Sequence, residues 1–126
     1  MLMKLLIVED SDLIRDGLMG LFEGMPGVGS IKTTDTLGQT LQVVSHESPT
    51  MVILDLHLPD GNALRIIPLL KKLAPAMLIA VLTNDANDYN RQKCLAAGAD
   101  WFFDKSIEFE ALLETVQQHT HETELP

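Results

Sequence analysis

The sequence predicts an α/β protein: a parallel five-stranded sheet covered by helices on both faces. Three observations lead there. Short, nearly continuous apolar runs recur along the chain, as in strands buried on both faces. Each strand is followed by a segment whose apolar residues keep helical spacing, so the order reads strand–helix five times. The strong strands all end in polar residues, namely Glu9-Asp10, Asp55, Thr83 and Lys105. At 126 residues the chain is one domain over 1–126, ordered to about 120 with a tail at 121–126. A chain this long buries about two thirds of its unfolded surface and needs no disulfide or metal staple.

The first strand is Leu5–Val8, stopped by two acids. Ser11 or Asp12 caps the next helix, and Leu13, Ile14, Gly17, Leu18, Leu21 and Phe22 hold its spacing. Gly24, Pro26, Gly27 and Gly29 break it. Ile31–Thr34 is a weaker strand. Leu37, Leu41 and Val44 mark a second helix, ended near Ser48-Pro49. Met51–Leu54 is again a strongly apolar strand. A third helix spans Ala63–Leu73 with Pro68 inside it; the ring removes a backbone donor, so the helix kinks or starts late. Met77–Leu82 is a buried strand ending at Thr83. Asp88–Ala97 is a helix closed by Gly98. Trp101–Phe103 is a short strand ending at Asp104-Lys105. The last helix runs from Ile107 to about His119, and the polar residues from His119 on fray.

Composition narrows the function. The formal charge of −9 disfavours direct nucleic-acid contact, which leans on basic surface. The basic residues are scattered, and the one adjacent pair, Lys71-Lys72, reads as a solvated helix face. Cys94 is the single cysteine, so no internal disulfide exists, which fits a reducing cytoplasm. The opening MLMKLLIVED is too short for a signal peptide, and no apolar run approaches a membrane span. The expectation is a soluble cytoplasmic protein without a membrane partner. His46 is placed to meet its helix's last carbonyls, and His119 and His121 read as tail residues rather than metal ligands.

In open parallel sheets, sites form at the carboxyl ends of the strands. If the first and third strands are neighbours, Asp10 and Asp55 lie about 5–10 Å apart. Carboxylates that close raise each other's pKa. A hard divalent cation such as Mg²⁺ relieves this while keeping waters and phosphate oxygens in its shell. Lys105 adds a compact positive charge that can pair with Asp55, and Thr83 adds a hydroxyl. A carboxylate nucleophile, a cation, an ammonium and a hydroxyl make a phosphoryl-transfer site. Taken singly, these residues have plainer readings: Asp55 could cap the turn through Asp60-Gly61, Glu9-Asp10 could cap the first helix, Lys105 could be a surface lysine, and Phe102 could be core.

The chain resembles the receiver domain of two-component response regulators (CheY-like). The resemblance rests on IVED (Ile7–Asp10), VILDLHLPDG (Val52–Gly61), the strand-terminal Thr83 and GADWFFDKS (Gly98–Ser106), and covers nearly the whole chain. It implies a doubly wound, flavodoxin-like (βα)5 fold with sheet order 2-1-3-4-5. Asp55 would accept a phosphoryl group from the phosphohistidine of a histidine kinase or phosphotransfer protein. Asp10 would ligate Mg²⁺ (or Mn²⁺) directly, Glu9 through water, and the His57 backbone carbonyl would be a further ligand. Lys105 would hold a phosphoryl oxygen, Thr83 would swing to bond it, and Phe102 would occupy the aromatic switch position. The fourth helix, fifth strand and fifth helix would form the output face, with a second copy of the chain as a partner on phosphorylation. Such a protein is a switch rather than an enzyme, catalysing only its own phosphorylation and dephosphorylation. It stands alone or forms the N-terminal part of a DNA-binding transcriptional regulator.

Four positions depart from the family's habit. Asn84 follows Thr83 where a smaller residue is usual. Ser106 follows the lysine where proline is commoner, leaving the geometry of that peptide open. Phe102 lacks a tyrosine hydroxyl, and Pro68 is unusual in the third helix. Two other functions remain. An aspartyl-phosphate enzyme of the haloacid dehalogenase type is weakened by His57, which stands where such enzymes place a second aspartate. A phosphorylation-independent interaction module is left open by Asn84 and Ser106.

Overall fold

The computed structural model describes residues 2–124, and the side chains of residues 2–120. Strands β1 (Met3–Val8), β2 (Val28–Thr34), β3 (Met51–Leu54), β4 (Leu78–Thr83) and β5 (Trp101–Asp104) form one sheet of order 2-1-3-4-5, every neighbouring pair parallel. Helices α1 (Asp12–Glu23), α2 (Leu37–His46), α3 (Ile67–Leu73), α4 (Asp88–Ala97) and α5 (Phe109–Glu124) alternate with the strands.

Alternation along the strands sorts the apolar side chains into two cores. Leu6, Val8, Val52, Leu54, Ile79, Val81 and Phe102 face Leu37, Val44, Ile67, Leu70 and Cys94 of α2, α3 and α4. Leu5, Ile7, Ile53, Ala80, Leu82 and Phe103 face Leu18 and Phe22 of α1 and Leu112 and Val116 of α5. This is why the central strands read as unbroken apolar runs: both sides of each are covered.

The helix ends follow local chemistry. The Ser11 hydroxyl accepts the Ile14 N–H at 3.3 Å and Thr36 that of Gln39 at 3.2 Å, each heading its helix. Pro68 resolves as a late start: a 3₁₀ turn covers Ala63–Arg65, and α3 begins at Ile67 with the proline in its first turn, where no backbone donor is missed. Gly98 closes α4 at φ +123°, a conformation that favours glycine.

Several expectations shift. Leu13 and Leu21 point outward, 84% and 46% exposed, because the face of α1 turned to the sheet is carried by Leu18 and Phe22, one turn apart, with Ile14 packed beside them. Lys71 is no free surface lysine: its ammonium bonds the Met77 carbonyl and Asp100. The last helix begins at Phe109 rather than Ile107, because Asp104–Glu108 close a turn first, with the Glu108 N–H on the Asp104 carbonyl at 2.8 Å. That helix runs on to Glu124, and His119 lies in it, edge-on to Trp101 with ring centroids 4.8 Å apart. Of the expected 121–126 tail, the side chains and residues 125–126 lie outside the described residues. The Lys105–Ser106 peptide is trans. Among the described residues no helix is long and apolar enough to cross a membrane.

Candidate functional site

Glu9, Asp55 and Lys105 stand one residue beyond their strands, yet the sheet's hydrogen bonding still holds them. The Glu9 N–H meets the Thr34 carbonyl, the Asp55 N–H that of Val8 and the Lys105 N–H that of Thr83, each at 3.0 Å. Their backbones are therefore fixed by the ladder, and register delivers their side chains to one rim.

The rim gathers buried charge. The Lys105 ammonium lies 2.6 Å from Glu9 Oε1 and 3.3 Å from Asp55 Oδ2. Glu9 is 2% exposed and Asp55 8%, so neither carboxylate is well hydrated. Burial, only partly offset by the Lys105 ammonium and reinforced by the charge of Glu9, pushes Asp55 up to about 6. Burial also acts to raise Glu9, but the shorter Lys105 contact and the Ser11 N–H hold it below the usual carboxylate range. Asp10, exposed, completes an acidic cluster: one oxygen each from Glu9, Asp10 and Asp55 lie within 4.8 Å of one another. Three carboxylates facing one ammonium leave uncompensated negative charge, and this all-oxygen donor set fits a hard divalent cation.

Beside the cluster opens a cleft of about 420 Å³ lined by Asp55, His57, Thr83, Asn84, Asp85 and Lys105. Thr83 is buried, and its hydroxyl accepts the Asp85 N–H at 3.0 Å, leaving its own hydrogen free to donate. His57 Nε2 and Asp85 Oδ2 meet at 2.9 Å, joining the β3–α3 and β4–α4 loops. His57 sits in a two-residue hairpin, His57–Leu58 against Gly61–Asn62. Asp60 anchors this hairpin by accepting the Leu37 and Gly38 N–H groups of α2 at 2.8 and 3.1 Å. Those two bonds hold the Asp60 carboxyl below its ordinary pKa. Phe102 lies away from the cleft, 3% exposed in the core beneath α4.

All the residues that the strand ends marked, Glu9, Asp10, Asp55, Thr83 and Lys105, thus share one rim. The Lys105–Asp55 pair expected from the sequence is present, but the sequence did not show that Lys105 also meets Glu9, at the shorter distance. Nor did it show Asp60 as a cap or the His57–Asp85 contact. These join residues 22 to 96 positions apart, and no local pattern announces them.

The fold and this rim define a class of protein: a doubly wound parallel sheet with an acidic cluster and a lysine gathered at the carboxyl ends of its central strands. The chain belongs to the response regulator receiver domain family, which it matches over residues 5–117. That is a family of two-component signalling switches rather than of true enzymes. A putative transcriptional regulator from Pseudomonas aeruginosa is 34% identical over 110 residues, covering 87% of this chain and 53% of the relative. The CheY-like receiver domain protein from Methanospirillum hungatei JF-1 superposes with a TM-score of 0.85 at 28% identity, covering 98% of both chains. The BeF3-activated receiver domain of DrrB gives 0.83 at 28%, covering 97% of this chain and 99% of that one. The chain spans about half the length of the curated relatives it matches.

Proposed function

We propose that the whole chain, 1–126, acts as one phosphoacceptor domain, with Asp55 taking a phosphoryl group from the phosphohistidine of a histidine kinase or phosphotransfer protein in the cytoplasm. The observation that carries this is the convergence of Asp55, Lys105 and the acidic cluster on an open cleft. At neutral pH Asp55, at about 6, is largely ionised and nucleophilic. One carboxylate oxygen forms the P–O bond while the P–N bond to imidazole breaks, and the imidazole takes a proton from solvent. A divalent cation, Mg²⁺ or Mn²⁺, held by Asp10, Asp55, the His57 carbonyl and, through water, Glu9, would supply charge neutralisation for the phosphoryl oxygens. Lys105 turns its ammonium from carboxylate to phosphoryl oxygen, and the Thr83 hydroxyl donates to another. The movement at Thr83 reaches Phe102 and the α4–β5–α5 face, where an output segment or a second copy of the chain reads it. The similarity to transcriptional regulators, one of them a DNA-binding transcriptional activator, supports an attached DNA-binding output, and the formal charge of −9 argues against nucleic-acid contact by this domain itself.

The test is beryllofluoride binding in the presence of Mg²⁺. Wild type should bind it and Asp55→Asn should not; no binding to wild type, or equal binding to both, would remove the proposal. An output unchanged in Asp55→Ala would favour the interaction-module reading instead.

A further inference from the structure

We propose that Arg91 is a positioning residue for Lys105, acting through Glu108 and the turn after β5; this rests on the reading of Asp55 and Lys105 above. Arg91 stands on α4 and holds two other elements at once. Its Nη1 donates to the Phe102 carbonyl at 3.0 Å, its Nη2 to Glu108 Oε1 at 3.2 Å, and the guanidinium carbon lies 5.0 Å from the Phe102 ring centroid. The same Glu108 oxygen accepts the Asp104 N–H at 3.1 Å. Asp104 immediately precedes Lys105, whose own N–H is held by Thr83 at 3.0 Å.

Within the turn, the Asp104 carbonyl accepts the Glu108 N–H and its carboxylate the Ser106 N–H, each at 2.8 Å, and the turn as a whole is pinned to its surroundings from two sides. One side is the sheet ladder. The other is a carboxylate oxygen whose direction Arg91 fixes. The Arg91 and Glu108 side chains are 41% and 32% exposed, so as an ion pair they add little to stability. Their geometry matters more. The planar guanidinium reaches a carbonyl, a carboxylate and a ring together, which an ammonium cannot do. Without it Glu108 is free to turn to solvent and the Asp104 N–H loses its acceptor. Lys105 must meet Asp55 and a phosphoryl oxygen at hydrogen-bond distance, where a displacement of about 1 Å can lower function by about a hundredfold.

The experiment measures, by calorimetry, the affinity for beryllofluoride in saturating Mg²⁺ and the affinity for Mg²⁺ alone. It compares wild type with Arg91→Met, Glu108→Ala, the double variant and Glu108→Gln. Each of the first two should weaken beryllofluoride binding about tenfold, with Mg²⁺ affinity within about twofold of wild type. The double variant should be no weaker than the worse single one, because the pair acts as a unit. Glu108→Gln, which keeps an acceptor oxygen, should return to within about threefold. Unchanged beryllofluoride binding in both single variants, multiplied losses in the double, or a matching loss of Mg²⁺ affinity would overturn the inference. Should Arg91→Met fail to fold, Glu108→Ala leaves the Arg91–Phe102 packing in place and decides alone. A wild-type chain that binds Mg²⁺ but no beryllofluoride would overturn the assignment of Asp55 and this inference with it.

Discussion

The two ends of the sheet carry the same kind of pair and use it differently. At the amino end of β5, Asp100 accepts from the Lys71 ammonium and the Ile79 N–H, each at 2.8 Å, and the ammonium also meets the Met77 carbonyl at 2.9 Å. One negative charge faces one positive charge, and the strong contacts are made within the chain. At the carboxyl end, one ammonium faces three carboxylates, and Asp55 is left high at about 6. A balanced pair fastens α3 to the sheet; an unbalanced one calls for a further ligand. Charge balance, rather than the presence of an ion pair, separates structural from functional acids here.

Four changes break or sharpen that contrast. The largest effect should come from Mg²⁺, which at a hundredfold excess over its Kd should stabilise the wild-type fold by about 2.7 kcal/mol in thermal unfolding. Asp10→Asn should lose most of this gain and Asp100→Asn little of it. Next is Asp55→Asn in chelator. The carboxyl of Asp55 titrates near 3.8 when unfolded and about 6 when folded, so its protonated form is the one folding favours. That contribution is full below pH about 4 and is lost as the pH rises through about 6. The variant should therefore exceed wild type by about 1–3 kcal/mol at pH 7, the gap closing below pH about 4. At the other rim the sign reverses: Asp100→Ala leaves the Ile79 N–H without its side-chain acceptor and the Lys71 ammonium with the Met77 carbonyl alone, and should destabilise by about 1–2 kcal/mol in urea unfolding. Smallest is Gly98→Ala, which forces a side chain onto φ +123° and brings its Cβ within 3.0 Å of Lys71 Cγ. A loss of about 1 kcal/mol is expected, with Mg²⁺ binding unchanged.

Much of this architecture was legible in the sequence because its causes are local. Val52 to Leu54 are apolar on both faces, so β3 could be placed, and Asp55 at its end marked the site. The chemistry of single residues narrowed the first cap to Ser11 or Asp12 and the effect of Pro68 to a kink or a late start; the structure selects Ser11 and the late start. Face-level detail was less legible. Leu13 lies outward because, at 3.6 residues per turn, it sits about 140° around α1 from Leu18 and about 180° from Phe22. The Lys71–Asp100, Asp60–Leu37 and Lys105–Glu9 contacts join distant segments and appear only once the strands are in register. Lys105 and Glu9 could each be nominated for the site, but that they bind each other could not.

The most direct measurement is to treat the chain with a small acyl phosphate and Mg²⁺ and map the product by mass spectrometry. The account predicts a single phosphoryl group on Asp55, removed by hydroxylamine and absent from Asp55→Asn. No adduct on wild type, or an adduct that persists in Asp55→Asn, would contradict it.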